Sequence, residues 1–363
     1  MVDVLIATAP GDGDSLEVVN GLRVMGCSAY RWFSSEFCGS SELSCRGSDD
    51  RDFGVILSDD AGALDLGKFD VFWNRRMRVP DARLPDAPDD RAQTLKERQS
   101  FLDGVYYYLD ATKRCINPYS SILQAKSKLI QLMVAKKVGL AVAETLMGNS
   151  LDYAREFANK HNDIVFKSFN HMLWRENGKL FLLYTRKITS ADLEGTPDVR
   201  MMPQIFQRNV AKSYEVRSFF MGSECVSVKI AGPGGRSVQD WRALEPQQMN
   251  TNVYDLPEAV RRKCVELLKL LGLQTGSFDF IVDEDGRYIF LEINQAGQFL
   301  FLENHCPETR MLDRFCQFLI HPGDPFDFRF DATAAMLRTE KLCNHAAEVA
   351  NIETERYDTS VFI

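Results

Sequence analysis

Residues 277–297, SFDFIVDEDGRYIFLEINQAG, set three oxygen-bearing side chains among apolar neighbours: Asp279, Glu292 and Asn294. Side chains alternate along a strand, so Glu292 and Asn294 share one face while Leu291 and Ile293 take the other. The intervening Asp283-Glu284-Asp285-Gly286 has the composition of a tight hairpin turn. With a two- or four-residue loop, Asp279 stands opposite Phe290, on that same face and diagonal to Glu292. Two carboxylates and an amide oxygen then converge. Such hard-oxygen donors suit magnesium, which takes a few carboxylates and completes its octahedron with the phosphates of a substrate. Two strands with ordinary polar outer faces would use the same residue types. Against that plainer reading, Asp279 and Glu292 lie inside strongly apolar runs, where an unpaired charge is costly unless a metal or partner offsets it.

Candidate phosphate-binding cations precede the hairpin. Lys128 falls on an amphipathic helix, with Lys126 a rival for the same role, and Lys167 ends a strand. Taken singly, each has a plain alternative: a solvated lysine on a helix face or sheet edge, and for Glu215 and Arg217 a surface ion pair of little worth. Their order is more specific, and it resembles the ATP-grasp superfamily, whose closing signature is an Asp on one strand and Glu-x-Asn on the next. SKL at 127–129 matches that superfamily's linker lysine, which gives Lys128. VFKSF at 165–169 gives Lys167 as the second nucleotide lysine. PQIFQRNV at 203–210 is similar to the adenine hinge, implying nucleotide contacts from Gln207, Arg208 and Val210. YEVR at 214–217 matches a Glu/Asp-x-Arg element, implying Glu215 for the ribose and Arg217 for phosphates.

Within the superfamily the chain is similar to the graspetide synthetases, the microviridin-type and "grasp-with-spasm" peptide macrocyclases. Four segments carry this: FDVFWNRRMRVP at 69–80, INPYSSILQAKSKLIQL at 116–132, QDWR at 239–242 and GQFLFLE at 297–303. The resemblance spans about residues 2 to 320. It implies an ADP-forming ligase that phosphorylates Asp or Glu side chains of a ribosomal precursor peptide. A Ser/Thr hydroxyl or Lys amine of the same peptide then closes an ester or amide ring. It also implies ATP and Mg²⁺, two ions, held by Asp279, Glu292 and Asn294. Arg217 and Arg242 become the catalytic cations, and the partner is a peptide with a leader and an acidic core. Arg75 and Arg76 would attract that core, or else pack locally beside Trp73. Two departures stand out: Gln207-Arg208 where the hinge commonly reads FQE, and Gln295 where "EiNp" has its last residue. A RimK-like ligase that adds a free amino acid to a protein or metabolite is the rival enzyme, and a non-catalytic nucleotide-binding module the rival outside catalysis.

The elements that must position these residues read as α/β and α+β, a three-domain ATP-grasp fold. An open α/β domain is expected over 1–115, a small central lid domain over 116–200, a mixed-sheet domain with the Mg-ATP site over 201–325, and an extension over 326–363. The spacing predicts one helix over 122–138 closed by Gly139, a strand over 141–147, a hairpin over 172–188, and a helix near 331–350. GDGDS at 11–15 lacks the spacing of either phosphate-loop motif and reads as a strand-to-helix turn.

Bulk properties exclude more than they assign. A net charge of −8 argues against general nucleic-acid binding. No apolar run approaches the roughly 20 residues of a membrane span, and MVDVLIATAP reads as a buried strand rather than a signal peptide, so a cytoplasmic protein is expected. Nine cysteines without a CxxC pair point to neither zinc nor a disulfide framework. A second copy of the chain is a candidate partner, with the C-terminal segment as a dimerisation or lid element.

Overall fold

The computed structural model describes residues 2–59, 62–77, 84–169, 173–176, 179–182, 185–194, 202–235 and 248–334. The N-terminal part runs β1 (Asp3–Thr8), α1 (Gly13–Val24), β2 (Ser28–Phe33), β3 (Glu42–Ser48), β4 (Arg51–Asp59), β5 (Gly62–Asp65), β6 (Val71–Asn74), α2 (Pro88–Thr112) and β7 (Arg114–Ile116). Strands β2-β1-β6-β7 form a parallel sheet, and β3-β4-β5 a separate antiparallel one. Both faces of the sheet are covered at its centre, which is why β1 and β6 carry the runs Val4–Ala7 and Val71–Trp73 without a polar residue. Leu5, Ala7 and Phe72 face α2 and the antiparallel trio. Val4, Ile6, Val71 and Trp73 face α1 and a core shared with the C-terminal part.

Next come α3 (Tyr119–Ala125), α4 (Lys128–Lys137), β8 (Ala141–Val142), β9 (Thr145–Gly148), α5 (Leu151–His161), β10 (Ile164–Lys167), β11 (Leu173–Glu176), β12 (Lys179–Leu182), β13 (Arg186–Ile188) and β14 (Gln204–Arg208). The single helix expected over 122–138 is in fact two. Ser127 leaves the helical conformation and its hydroxyl accepts the Ile130 N–H, capping α4. This break places Lys128 in the first turn of α4 instead of mid-helix. The strand expected over 141–147 also divides. β8 joins the large C-terminal sheet, while β9 pairs with β14 in the small antiparallel sheet β13-β10-β14-β9, on which α5 packs through Ala154, Phe157 and Ala158. β11 and β12 form the expected hairpin.

The C-terminal part contains β15 (Lys212–Met221), β16 (Glu224–Ala231), β17 (Asn250–Tyr254), α6 (Glu258–Leu270), β18 (Thr275–Asp283), β19 (Tyr288–Asn294), α7 (Phe301–His305) and α8 (Met311–Ile320). Its six-stranded sheet has the order β17-β16-β15-β18-β19-β8. One face buries Val216, Phe220, Phe278, Phe280, Phe290 and Ile293 against α4 and α6. On the opposite face, Phe219, Met221, Val226, Val228 and Ile230 meet α8 and the N-terminal sheet in one core. By packing, residues 125–142 therefore lie with the large sheet, Tyr119 with the N-terminal core, and Gln204–Arg208 with the small sheet. Residues 324–334 fold back across Gly222, where a side chain would collide with the Pro325 carbonyl, and Phe328 is buried. The helix expected near 331–350 lies almost wholly outside the described residues. No described helix is long and apolar enough to cross a membrane.

The shared core centres on rings. Phe315 of α8 stands 4.8 Å from Trp73, 4.5 Å from Phe299 and 5.9 Å from Phe219, so four aromatic side chains join the N-terminal sheet, the large sheet and the segment after β19. Aromatic pairs of this kind add to area burial. Phe315→Ala should therefore lower stability by roughly 3–5 kcal/mol, read as a shift of the urea midpoint. An unchanged midpoint would show that this cluster does not join the two parts.

Candidate functional site

The hairpin β18–β19 carries the three oxygen ligands, in a register that differs from the one expected. Its loop has three residues, Glu284 to Gly286: Asp283 donates its N–H to Arg287 O at 3.1 Å, and Gly286 adopts a φ of 76° that favours glycine. An odd loop alone would set Asp279 against Leu291. A one-residue bulge intervenes, so that Phe280 pairs with Phe290 but Asp279 pairs with Glu292, leaving Leu291 extra. Asp279 is thus directly opposite Glu292, not opposite Phe290, and Phe290 points into the core on the other face. Ser277 pairs with Asn294 one step along.

Each carboxylate has a cation. Arg217, directly across from Asp279 on β15, donates from Nη1 to both of its oxygens at 3.0 and 3.1 Å. Lys128 forms an ion pair with Glu292, both side chains about three-quarters buried. Lys126 is exposed. Among the described residues no three His, Cys, Asp or Glu side chains cluster as a metal site. The candidate donor set is two carboxylates and an amide, which fits a cation that keeps water and phosphate ligands.

Three side chains from outside the hairpin hold the backbone that follows Glu292. Buried Gln131 of α4 grips Ile293 both ways: its Nε2 donates to Ile293 O at 2.9 Å, and its Oε1 accepts the Ile293 N–H at 3.0 Å. Asn117 donates to Thr275 O (2.9 Å) and Gln295 O (3.2 Å) and accepts the Gln274 and Thr275 N–H groups, clamping the open end of the hairpin. Arg75 donates from Nη1 to Ala296 O (2.6 Å) and Gly297 O (2.8 Å). Asn294 closes its own turn by accepting the Ala296 N–H at 3.1 Å.

Arg75 is buried, held by Asp12 at 3.2 Å and Asp14 at 3.0 Å, whereas Arg76 is partly exposed and 3.7 Å from Asp12. GDGDS is therefore the turn into α1, and its carboxylates receive an arginine. Burial alone would push the Asp12 carboxyl up. Arg75, Arg76 and the Thr8 hydroxyl outweigh it and hold the carboxyl at about 2. Burial raises Asp14, with Arg75 opposing and Asp12 reinforcing the rise.

The remaining candidates fall on the small sheet and its connection. Lys167 donates to Gln207 Oε1 at 2.8 Å, and Gln207 donates onward to Thr145 Oγ1 at 2.9 Å. Arg208 is exposed, with its backbone N–H on Glu144 O, and half-buried Val210 lies in the link from β14 to β15. Glu215 pairs with Lys212 at 2.6 Å, two residues before Arg217 on the same face of β15. Arg242 and the DWR segment lie outside the described residues. Sequence reasoning gave no role to Gln131, Asn117, Asp12 or Asp14. The two amides sit inside the quoted linker segment, but nothing local marks their distant backbone partners.

No protein-family model and no curated protein matches the chain. Solved structures do. The macrocyclase MdnC from Microcystis aeruginosa, bound with precursor peptide MdnA, has a TM-score of 0.77 at 26% identity, covering 89% of this chain and 100% of that one. MdnB, a macrocyclase of the same organism, gives 0.74 at 26%, covering 88% and 100%. A RiPP-associated ATP-grasp ligase from Chryseobacterium gregarium, in complex with ADP and a leader and core peptide, gives 0.77 at 23%, covering 91% and 99%, a likeness of fold. The match runs almost the full length of these proteins, so the chain has the ATP-grasp fold and is similar to the macrocyclases.

Proposed function

We propose that the chain is an ATP-dependent, ADP-forming ligase that closes macrocyclic ester or amide crosslinks in a ribosomal precursor peptide. The observation that carries this is Asp279 directly opposite Glu292, beside Asn294, on the sheet face that also contributes Phe219 and Met221 to the shared core. Similarity to macrocyclases over the whole chain supports the peptide as substrate. An Asp or Glu side chain of the peptide attacks the terminal phosphate of ATP and ADP leaves. A Ser/Thr hydroxyl or Lys amine then displaces phosphate from the acyl group, so each ring removes one water from the peptide. Phosphoryl transfer depends on in-line positioning and charge neutralisation more than on covalent help.

Asp279, Glu292 and Asn294 would hold magnesium, which supplies neutralising charge to the phosphate oxygens. Lys128 and Arg217 now balance the two carboxylates. Beside a metal held by these ligands, Lys128 and Lys167 would bind the ATP phosphates, and Arg217, with Arg242, would steady the transferring group. Gln207, Arg208 and Val210 receive the base and Glu215 the ribose. Partly exposed Arg76 is available to an acidic core peptide. The reading places the enzyme in the cytoplasm, where ATP is made and where the free cysteines would stay reduced.

Incubation with Mg-ATP and a precursor peptide with an acidic core should release ADP and lower the peptide mass by one water per ring. A gain of an amino-acid residue would instead assign the RimK-like activity. Asp279→Ala and Glu292→Gln should each cut ADP release by about a hundredfold or more, since several kcal/mol of charge stabilisation are lost. Full turnover in both would refute the metal assignment. Lys128→Ala should raise the KM for ATP well above that of Lys126→Ala; equal effects would remove Lys128 from the phosphates.

A further inference from the structure

Arg75 has no N–H left for a peptide. A guanidinium carries five N–H donors, and five bonds account for them: Nε to Asp12 (3.2 Å), Nη2 to Asp12 (3.4 Å) and Asp14 (3.0 Å), and Nη1 to Ala296 O and Gly297 O (2.6 and 2.8 Å). The side chain is only 2% exposed. Turning it toward a substrate would take the nearest cation from buried Asp12 and largely buried Asp14, a larger loss than one new contact returns.

The carbonyls it holds belong to the turn between the candidate metal ligands and Phe299. Gly297 sits tightly in that turn. A Cβ there would come within 3.0 Å of Arg217 Nη2, 3.1 Å of Ser277 Oγ and 3.2 Å of the Asn294 side chain. Arg217 also donates to Gln298 O at 3.3 Å, and Asp14 accepts the Phe299 N–H at 3.4 Å. Any shift of residues 296–298 is therefore transmitted to Asn294 and Arg217. Asp12 and Asp14 open α1, where helix N-termini favour carboxylates, so the grip is anchored in the N-terminal sheet.

We propose that Arg75, seated on Asp12 and Asp14, is a positioning residue that sets the turn at 296–298 and thereby the Asn294 and Arg217 side chains from the N-terminal domain. This rests on the reading of Asp279, Glu292 and Asn294 as a magnesium site. Residues that orient metal ligands from behind commonly change affinity by about tenfold or more when altered. Arg75→Lys keeps the charge but loses the planar fork. Asp14→Asn keeps the shape and removes one carboxylate, and it carries the test should Arg75→Lys not fold.

Mn²⁺ binding to the full chain in the presence of ADP, followed by the electron paramagnetic resonance of free Mn²⁺, supplies a readout independent of turnover. The dissociation constant should rise roughly tenfold in each variant whose circular dichroism matches the parent. An unchanged constant in the folded variants, with only a lower melting temperature, would overturn the proposal. So would an unchanged constant accompanied by a raised KM for the peptide, which would return Arg75 to substrate binding. Failure of the parent chain to bind Mn²⁺ with ADP is a separate result and would overturn the metal-site reading itself.

Discussion

Two carboxylates facing each other on adjacent strands repel, and the arrangement around Asp279 and Glu292 answers that repulsion. Arg217 comes from β15, the neighbour of β18 on its other side, and forks onto Asp279. Lys128 comes from the start of α4 and meets Glu292. Neither cation arrives by accident of surface mobility. The sheet order β16-β15-β18-β19 brings Arg217 into register, and the Ser127 cap with the Gln131 grip on Ile293 fixes where α4 begins relative to β19. A largely buried set of two negative and two positive charges is tolerable as a group, while any one member alone would be costly. The same balance leaves two cations beside the carboxylates, which is what phosphate chemistry at a metal needs.

The six-stranded sheet separates support from chemistry by its two faces and along its length. Its inner face is an aromatic layer against α4 and α6. Its outer face carries both: Phe219, Met221 and the valines of β16 disappear under α8 and the N-terminal sheet, and beside them on the same face lie Arg217, Asp279, Glu292 and Asn294. The N-terminal part thus reaches the site in two ways, through the rings of Trp73, Phe299 and Phe315 and through Arg75. The small sheet has its own core of Phe157, Ile164, Ile188 and Phe206, apart from the others. It contributes Lys167 and Gln207, which are hydrogen-bonded to each other.

Much of this was legible in the order of residues. Alternation put Glu292 and Asn294 on one face, and the apolar runs around them marked strands buried on the other side, because a period of two survives whatever lies beyond the strand. The N-terminal α/β opening, the helix ending before Gly139 and the strands flanking Gly286 follow from local periodicity and from glycines in conformations that other residues avoid. Segments that resembled a known family, FWNRR at 72–76 and GQFLFLE at 297–303, proved to be the two halves of one contact, Trp73 and Arg75 against Phe299 and the turn before it.

What lay beyond the sequence depended on pairings between distant residues. Whether Asp279 opposes Phe290, Leu291 or Glu292 turns on a loop length and a single bulged residue, and one position of slip sends a side chain to the other face. The break at Ser127 pits a cap against helix propensity, and the Gln131 bonds to Ile293 accompany the break. Two arginines adjacent in sequence, Arg75 and Arg76, carry the same chemistry in the chain. One became a buried brace and the other a partly exposed cation, because only the fold sets Asp12, Asp14 and the carbonyls of 296 and 297 around the first. The residue types that could bind metal and phosphate were thus determined by the sequence alone; their register and their bracing were decided by tertiary contacts, since hydrogen bonds and ion pairs between residues 62 to 222 positions apart leave no periodic trace.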